Sequence, residues 1–203
     1  MSCDAGAGRV EPDRFDPVIV EPPFRQALLS IALLAIVAVS LVAAAGPDGL
    51  LGALLGALML AIAATDARRY IIPNELTGAA LALALGRAGL VGPDAGWTAL
   101  GLGAGRALAV ALPFLALMTG YRWWRGRDGL GLGDIKLAAV AGAWLGFVTV
   151  FAVIELATLS ALGAYFVSGY LRKRPPSATA FLPFGLFLAP AIWIGWLVEA
   201  MLR

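Results

Sequence analysis

The sequence predicts an all-α fold: a polytopic membrane helix bundle of about seven transmembrane helices with a cytoplasmic N-terminus. Three observations lead there. Of 203 residues, 61% are hydrophobic and only 14% are charged, whereas a soluble domain carries roughly a quarter charged residues. The apolar residues are gathered into long blocks, most near the roughly 20 residues that one helix needs to cross the hydrocarbon core, and mean hydropathy is +0.87. The segments between blocks are alternately basic and neutral, the pattern that the positive-inside rule demands of a membrane topology.

Residues 1–25 are polar and hold Pro12, Pro17, Pro22 and Pro23 among mixed acids and arginines. With so little apolar surface to bury, they are expected to form a disordered cytoplasmic tail. They lack the basic start and cleavage pattern of a secretory signal peptide, so residues 26–46 are expected to stay as an additional N-terminal transmembrane helix. Residues 47–203 make the main membrane domain. It opens on the turn signal Gly46-Pro47-Asp48-Gly49, continues in an apolar block from Leu50 to Thr65, and meets the polar segment Asp66–Glu75. A third block runs from about Leu76 to Leu90, and a turn over 92–96 leads to a fourth that reaches Thr119. After the charged segment 120–134 comes the apolar run Leu137–Tyr170, too long for one straight span. It is expected to break near Gly146–Thr149 into a short helix and a longer one. The basic loop Arg172-Lys173-Arg174-Pro175-Pro176 precedes the last block, about Phe181 to Leu202.

The loops at 66–75, 120–136 and 171–179 hold Arg68, Arg69, Arg122, Arg125, Arg127, Lys136, Arg172, Lys173 and Arg174, and the turns at 46–49, 92–97 and 146–149 hold no Lys or Arg. The basic loops are therefore cytoplasmic and the C-terminus lies outside. Arg87 and Arg106 fall near the outer ends of their helices and are expected to snorkel. Trp123 and Trp124 read as interface anchors. The lipid bilayer is the surrounding partner, and no nucleic-acid partner is expected.

Composition also narrows the chemistry. There is no His, and Cys3 is the single cysteine. That excludes a His base, a Ser–His pair and a His- or Cys-rich metal site, so neither metal nor cofactor is expected. Acids remain. Asp66 ends the second helix and Asp134 starts the fifth, both at the cytoplasmic face, while Asp48, Asp94, Glu155 and Glu199 lie toward the outer side. Two carboxylates held near each other cannot both ionise cheaply, so they share a proton. One then takes a proton from water and the other hydrogen-bonds the substrate carbonyl, the aspartic-protease arrangement. Position alone leaves a second reading open, two solvated helix-end carboxylates. Asp134 suits the positive end of its helix, whereas Asp66 opposes the macrodipole of its own.

At these residues the chain resembles the prepilin peptidases (type IV leader peptidases). Asp66, followed at Pro73-Asn74-Glu75-Leu76-Thr77, is similar to their first aspartate motif. Gly131-Leu132-Gly133-Asp134-Ile135-Lys136-Leu137, with Gly142-Ala143-Trp144 beyond it, resembles their GxGD-x-K motif. Leu182-Pro183-Phe184-Gly185-Leu186 is similar to their late Pro-Phe-Gly element. GxGD alone is a weak signal; the three in order, over about 50 to 190, are a strong one. The resemblance implies a membrane aspartic endopeptidase with Asp66 and Asp134 as the catalytic pair. Such enzymes sit in the bacterial inner membrane with the site facing the cytoplasm, and remove the basic leader of prepilins or pseudopilins just after a glycine.

Supporting roles are expected for Gly131 and Gly133, which leave room for a substrate chain, and for Pro73, which turns the chain into the third helix. Lys136 reads equally as a bias on the pair or substrate holder and as a snorkelling cation. Pro183, Phe184 and Gly185 read as the edge of a substrate cleft or as a plain helix start. Bifunctional members of the family carry a cytoplasmic domain, often with zinc-binding cysteines, and N-methylate the new terminus. Here only Gly46–Gly49 follows the first helix, so no methyltransferase activity is expected, and the short form resembles tight-adherence (Flp-type) pilus peptidases. The presenilin and signal-peptide-peptidase group is similar only at Gly131–Asp134: its first aspartate follows Tyr, where Thr65 stands here, and its late motif is Pro-Ala-Leu. A proton-coupled transporter is the non-enzymatic alternative, disfavoured because the acids lie at one face rather than near the midplane.

Overall fold

A computed structural model describes residues 22–91, 95–126, 129–171 and 182–202. Residues 1–21 of the expected tail, Cys3 among them, and the basic loop at 172–176 lie outside the described residues, as does Arg127; residues 22–25, expected in the tail, instead form the first turn of a helix. The described residues form a helical bundle of seven helices: α1 (Pro22–Ala43), α2 (Pro47–Arg69), α3 (Asn74–Leu90), α4 (Trp97–Arg125), α5 (Leu132–Trp144), α6 (Phe147–Leu171) and α7 (Phe184–Met201). Five of them, α1, α2, α4, α6 and α7, are long and apolar enough to cross a membrane. At about 1.5 Å per residue, α3 and α5 span only about 26 and 20 Å, less than the roughly 30 Å hydrocarbon core.

The shortest helix is the most enclosed. In α5, Ile135, Leu137, Ala138 and every residue from Val140 to Trp144 are buried, against α3, α4 and α7. Without a hydrophobic force between helices in lipid, close approach of small residues does the work. A methyl group on Gly142 would stand 2.7 Å from the Arg106 carbonyl oxygen and 3.1 Å from Ala107 Cα, so α4 and α5 touch backbone to backbone there. On the other side the Trp196 ring of α7 lies over Gly52 of α2. Helix α1 packs mainly on α2, and most of its surface faces outward. It is tied to the bundle where Trp193 Nε1 donates to the buried Ser40 Oγ at 3.1 Å.

The break expected near Gly146–Thr149 falls at Leu145–Gly146. Glu199 Oε1 accepts the Gly146 N–H at 2.8 Å, filling the gap between α5 and α6. At this same end of the bundle, Arg87 does not snorkel as expected. Its guanidinium donates to Asp48 Oδ1 at 2.6 Å and Oδ2 at 3.2 Å, and lies 5.3 Å from the centre of the Trp144 ring. Trp144 Nε1 in turn donates to the Ala80 carbonyl at 3.2 Å. A half-buried cation that finds a carboxylate and a π-face within reach gains more there than in the lipid headgroups. Arg106 is half-buried, and its buried Nε has no hydrogen-bond partner among the described residues. Trp123 and Trp124 are exposed near the end of α4, as interface anchors are.

The chain is thus pinned at one end by Asp48, Arg87 and Trp144. At the other end α2 and α4 finish and α3, α5 and α7 begin.

Candidate active site

Asp66 lies three residues before the end of α2 and is buried. The helix stops because Tyr70 adopts a left-handed conformation, φ 53°, with its N–H on the Asp66 carbonyl at 2.9 Å. Non-glycine residues avoid that region by about 1 kcal/mol, and such outliers gather at functional sites. The carboxylate points across to α7. Asp66 Oδ2 accepts the Leu186 N–H at 3.0 Å, and the Gly185 N–H also hydrogen-bonds to the carboxylate.

Those two amides belong to the first turn of α7, whose N-cap residue, Pro183, supplies no side-chain cap. Asp66 therefore caps α7 from another helix. This resolves the misfit noted in the sequence. An anion at its own helix's C-terminus opposes a macrodipole effect of about 0.3–1 kcal/mol, but each hydrogen bond to a charged group contributes about 1.5–3 kcal/mol. The neighbour's N-terminus outweighs the helix's own C-terminus.

Asp134 is the third residue of α5 and is half-buried. Its N–H donates to the carbonyl of the N-cap residue Gly131 at 3.1 Å, and its carboxylate accepts the Gly131 N–H. The Asp134 side chain thus supplies the third-position half of a capping box, while Gly131, having no side chain, accepts through its backbone carbonyl instead. The expected apolar start at Leu137 is therefore preceded by a helical turn that includes Asp134. The Ile72 side chain packs against Gly133, the residue before Asp134, and against Gly185, which lies on the Asp66 carboxylate, so the two acids, from helices far apart in sequence, face one site.

The expected supporting residues surround them. Pro73 is the N-cap of α3 in an extended conformation, and its carbonyl accepts the Thr77 hydroxyl at 3.2 Å. Lys136 Nζ donates to Asn74 Oδ1 at 2.6 Å, which ties α5 to the start of α3 and joins the first two motifs. Gly131 has Asp134 Oδ2 only 3.1 Å from where a Cβ would sit. Pro183 and Gly185 are buried and Phe184 is half-buried. Their segment is a helix start, as one expectation had it, and also the donor of the amides that hold Asp66.

Sequence reasoning missed Ile72. Its side chain lies against both Gly133 and Gly185: a Cβ at Gly133 would stand 2.9 Å from Ile72 Cβ, and one at Gly185 would stand 2.7 Å from Ile72 Cδ1. An apolar residue inside a polar loop carries no chemical signal of such a role. Two carboxylates, each held by backbone amides beside an apolar side chain, are equipped for acid–base work on a water molecule and a carbonyl group.

A family model described as the type IV leader peptidase family matches residues 53–167, more than half of the chain and a span that includes both aspartates. The chain belongs to this family. It is 34% identical over 166 residues to a "Prepilin leader peptidase/N-methyltransferase" of Aeromonas hydrophila, covering 79% of this chain and 53% of that protein. A protein of the same name from Escherichia coli is 41% identical over 71 residues, 35% of this chain and 31% of its own length. "Leader peptidase HopD" of Escherichia coli is 40% identical over 84 residues, 41% of this chain and 54% of that one. The chain spans about half the length of the curated relatives it matches most extensively. No solved structure matches it. With five apolar helices of spanning length in a membrane peptidase family, this is a multi-pass membrane protein.

Proposed function

We propose that this chain is a membrane aspartic endopeptidase that removes the basic leader of type IV prepilins or pseudopilins, with Asp66 and Asp134 as the catalytic pair. The observation that carries the reading is the convergence of the three family motifs on one site. The first supplies Asp66, the second supplies Asp134, and the third supplies the Gly185 and Leu186 amides that hold Asp66. In this mechanism one carboxylate, ionised, takes a proton from water as it attacks the scissile carbonyl. The other, protonated, hydrogen-bonds the carbonyl oxygen as charge develops there. The site lies where α2 ends and α3, α5 and α7 begin, and the basic loops at that end support a site facing the cytoplasm. A substrate whose basic leader stays in the cytoplasm and whose apolar helix lies in the bilayer presents its junction at that depth. The family match and the Pro183-Phe184-Gly185 contact with Asp66 favour this reading over a presenilin-like protease or a transporter.

The test is leader removal. Incubated in phospholipid vesicles with a type IV prepilin, the full chain is expected to release a product that has lost the leader at a glycine, as read by mass spectrometry. Prepilin left intact, under conditions where another leader peptidase of the family cleaves it, would contradict the proposal.

A further inference from the structure

Ile72 stands in the α2–α3 loop, yet its side chain reaches into the first turns of two other helices. Its Cβ would be 2.9 Å, its Cδ1 3.2 Å and its Cγ1 3.3 Å from a Cβ at Gly133, and its Cδ1 would be 2.7 Å from a Cβ at Gly185. Both neighbours thus press bare backbone onto one side chain. Gly133 immediately precedes Asp134. Gly185 donates its N–H to Asp66, and its own missing Cβ would stand 2.9 Å from Asp66 Oδ2. One half-buried isoleucine therefore packs between the backbone that carries one carboxylate and the backbone that holds the other.

We propose that Ile72 is the spacer that fixes the separation of the two carboxylates, a positioning residue that acts through Gly133 and Gly185. This rests on the leader-peptidase reading of the site. A β-branched side chain has few rotamers, and protein interiors are packed too densely for a neighbouring segment to drift while the side chain is in place. Loop, α5 and α7 meet at this one contact, so its width sets the gap in which water and the scissile carbonyl must fit. It also explains why positions 133 and 185 are glycine: at each the ring of contacts is already closed by Ile72.

The experiment uses the full chain in phosphatidylethanolamine–phosphatidylglycerol vesicles and a type IV prepilin with its uncleaved leader. Since a displacement of about 1 Å in an active site lowers rates up to about 100-fold, Ile72→Ala is expected to lower kcat about tenfold or more while KM changes less than about twofold. Ile72→Leu, equal in volume, is expected to stay within about threefold of wild type. Gly133→Ala is expected to lower kcat by about 100-fold. Adding Ile72→Gly to it removes Cβ, Cγ1 and Cδ1, the three atoms that crowd a methyl group there, and is expected to recover about tenfold of that loss. Wild-type kcat in Ile72→Ala, or no recovery in the folded double variant, would overturn the proposal. Thermal unfolding of each purified variant identifies any that do not fold; Ile72→Val, short of one methyl, then replaces Ile72→Ala, with an expected drop of about threefold. Asp66→Asn is run alongside. Cleavage by Asp66→Asn overturns the underlying reading itself, whereas its loss together with unchanged Ile72 variants overturns only the spacer.

Discussion

Asp66 shows how a residue misplaced by local rules is explained by a distant one. Its carboxylate sits at the wrong end of its own helix and the right end of another, capping α7 where Pro183 offers no side chain. Gly185 is what allows the approach. Gly185→Ala puts a methyl group 2.9 Å from Asp66 Oδ2 and 2.7 Å from Ile72 Cδ1. It is expected to lower the kcat of leader removal about 100-fold in a protein that still inserts and purifies; unchanged kcat would show that the contact does not matter. Both aspartates could be named as candidates from the sequence, because each sits at a helix end inside a recognisable motif. The capping of α7 was not legible there, since Asp66 and Leu186 are 120 residues apart and a Pro-Phe-Gly segment reads as a helix start either way. Ile72 was illegible for a different reason: packing against two glycines is a property of the folded backbone.

At the scale of elements, α5 is the part on which the others are assembled. It carries Asp134 in its first turn and ends on Trp144, which meets Arg87 and the Ala80 carbonyl. Its shortness and the break after it were readable, from an apolar run too long for one span and the glycine at 146. The partner of Arg87 was not, because outer-end placement fits both snorkelling and pairing, and only the tertiary fold brings Asp48 within 2.6 Å. The pair is half-buried, between exposed pairs worth under about 1 kcal/mol and buried ones whose breakage costs about 3–5 kcal/mol. Arg87→Met is therefore expected to destabilise the protein by about 1–3 kcal/mol. The double variant with Asp48→Asn should be less destabilised than the sum of the singles, because the ion pair between them is then lost only once. Denaturant unfolding in detergent micelles measures both; additive losses would mean that the two side chains act independently.

For the whole molecule, the bundle has two unlike ends. One is closed by Asp48, Arg87, Trp144 and Glu199, and the other gathers the aspartates, Lys136 and the α7 amides. From the alternation of basic and neutral loops we propose that the aspartate end faces the cytoplasm. In a Cys3→Ser background, single cysteines at Arg69 and Trp123 are expected to react with a membrane-impermeant thiol reagent only in inverted vesicles, and one at Trp97 only in spheroplasts. Reaction of 69 and 97 from the same side would refute the topology.

The account stands on the two acids working as a pair. Its most direct test compares prepilin processing by wild type, Asp66→Asn and Asp134→Asn at equal membrane levels of each protein. Asn keeps the shape of Asp but neither takes up a proton from water nor shares one, so each single change is expected to abolish leader removal, a loss of about 1,000-fold or more. Leader removal that survives either substitution would contradict the catalytic pair.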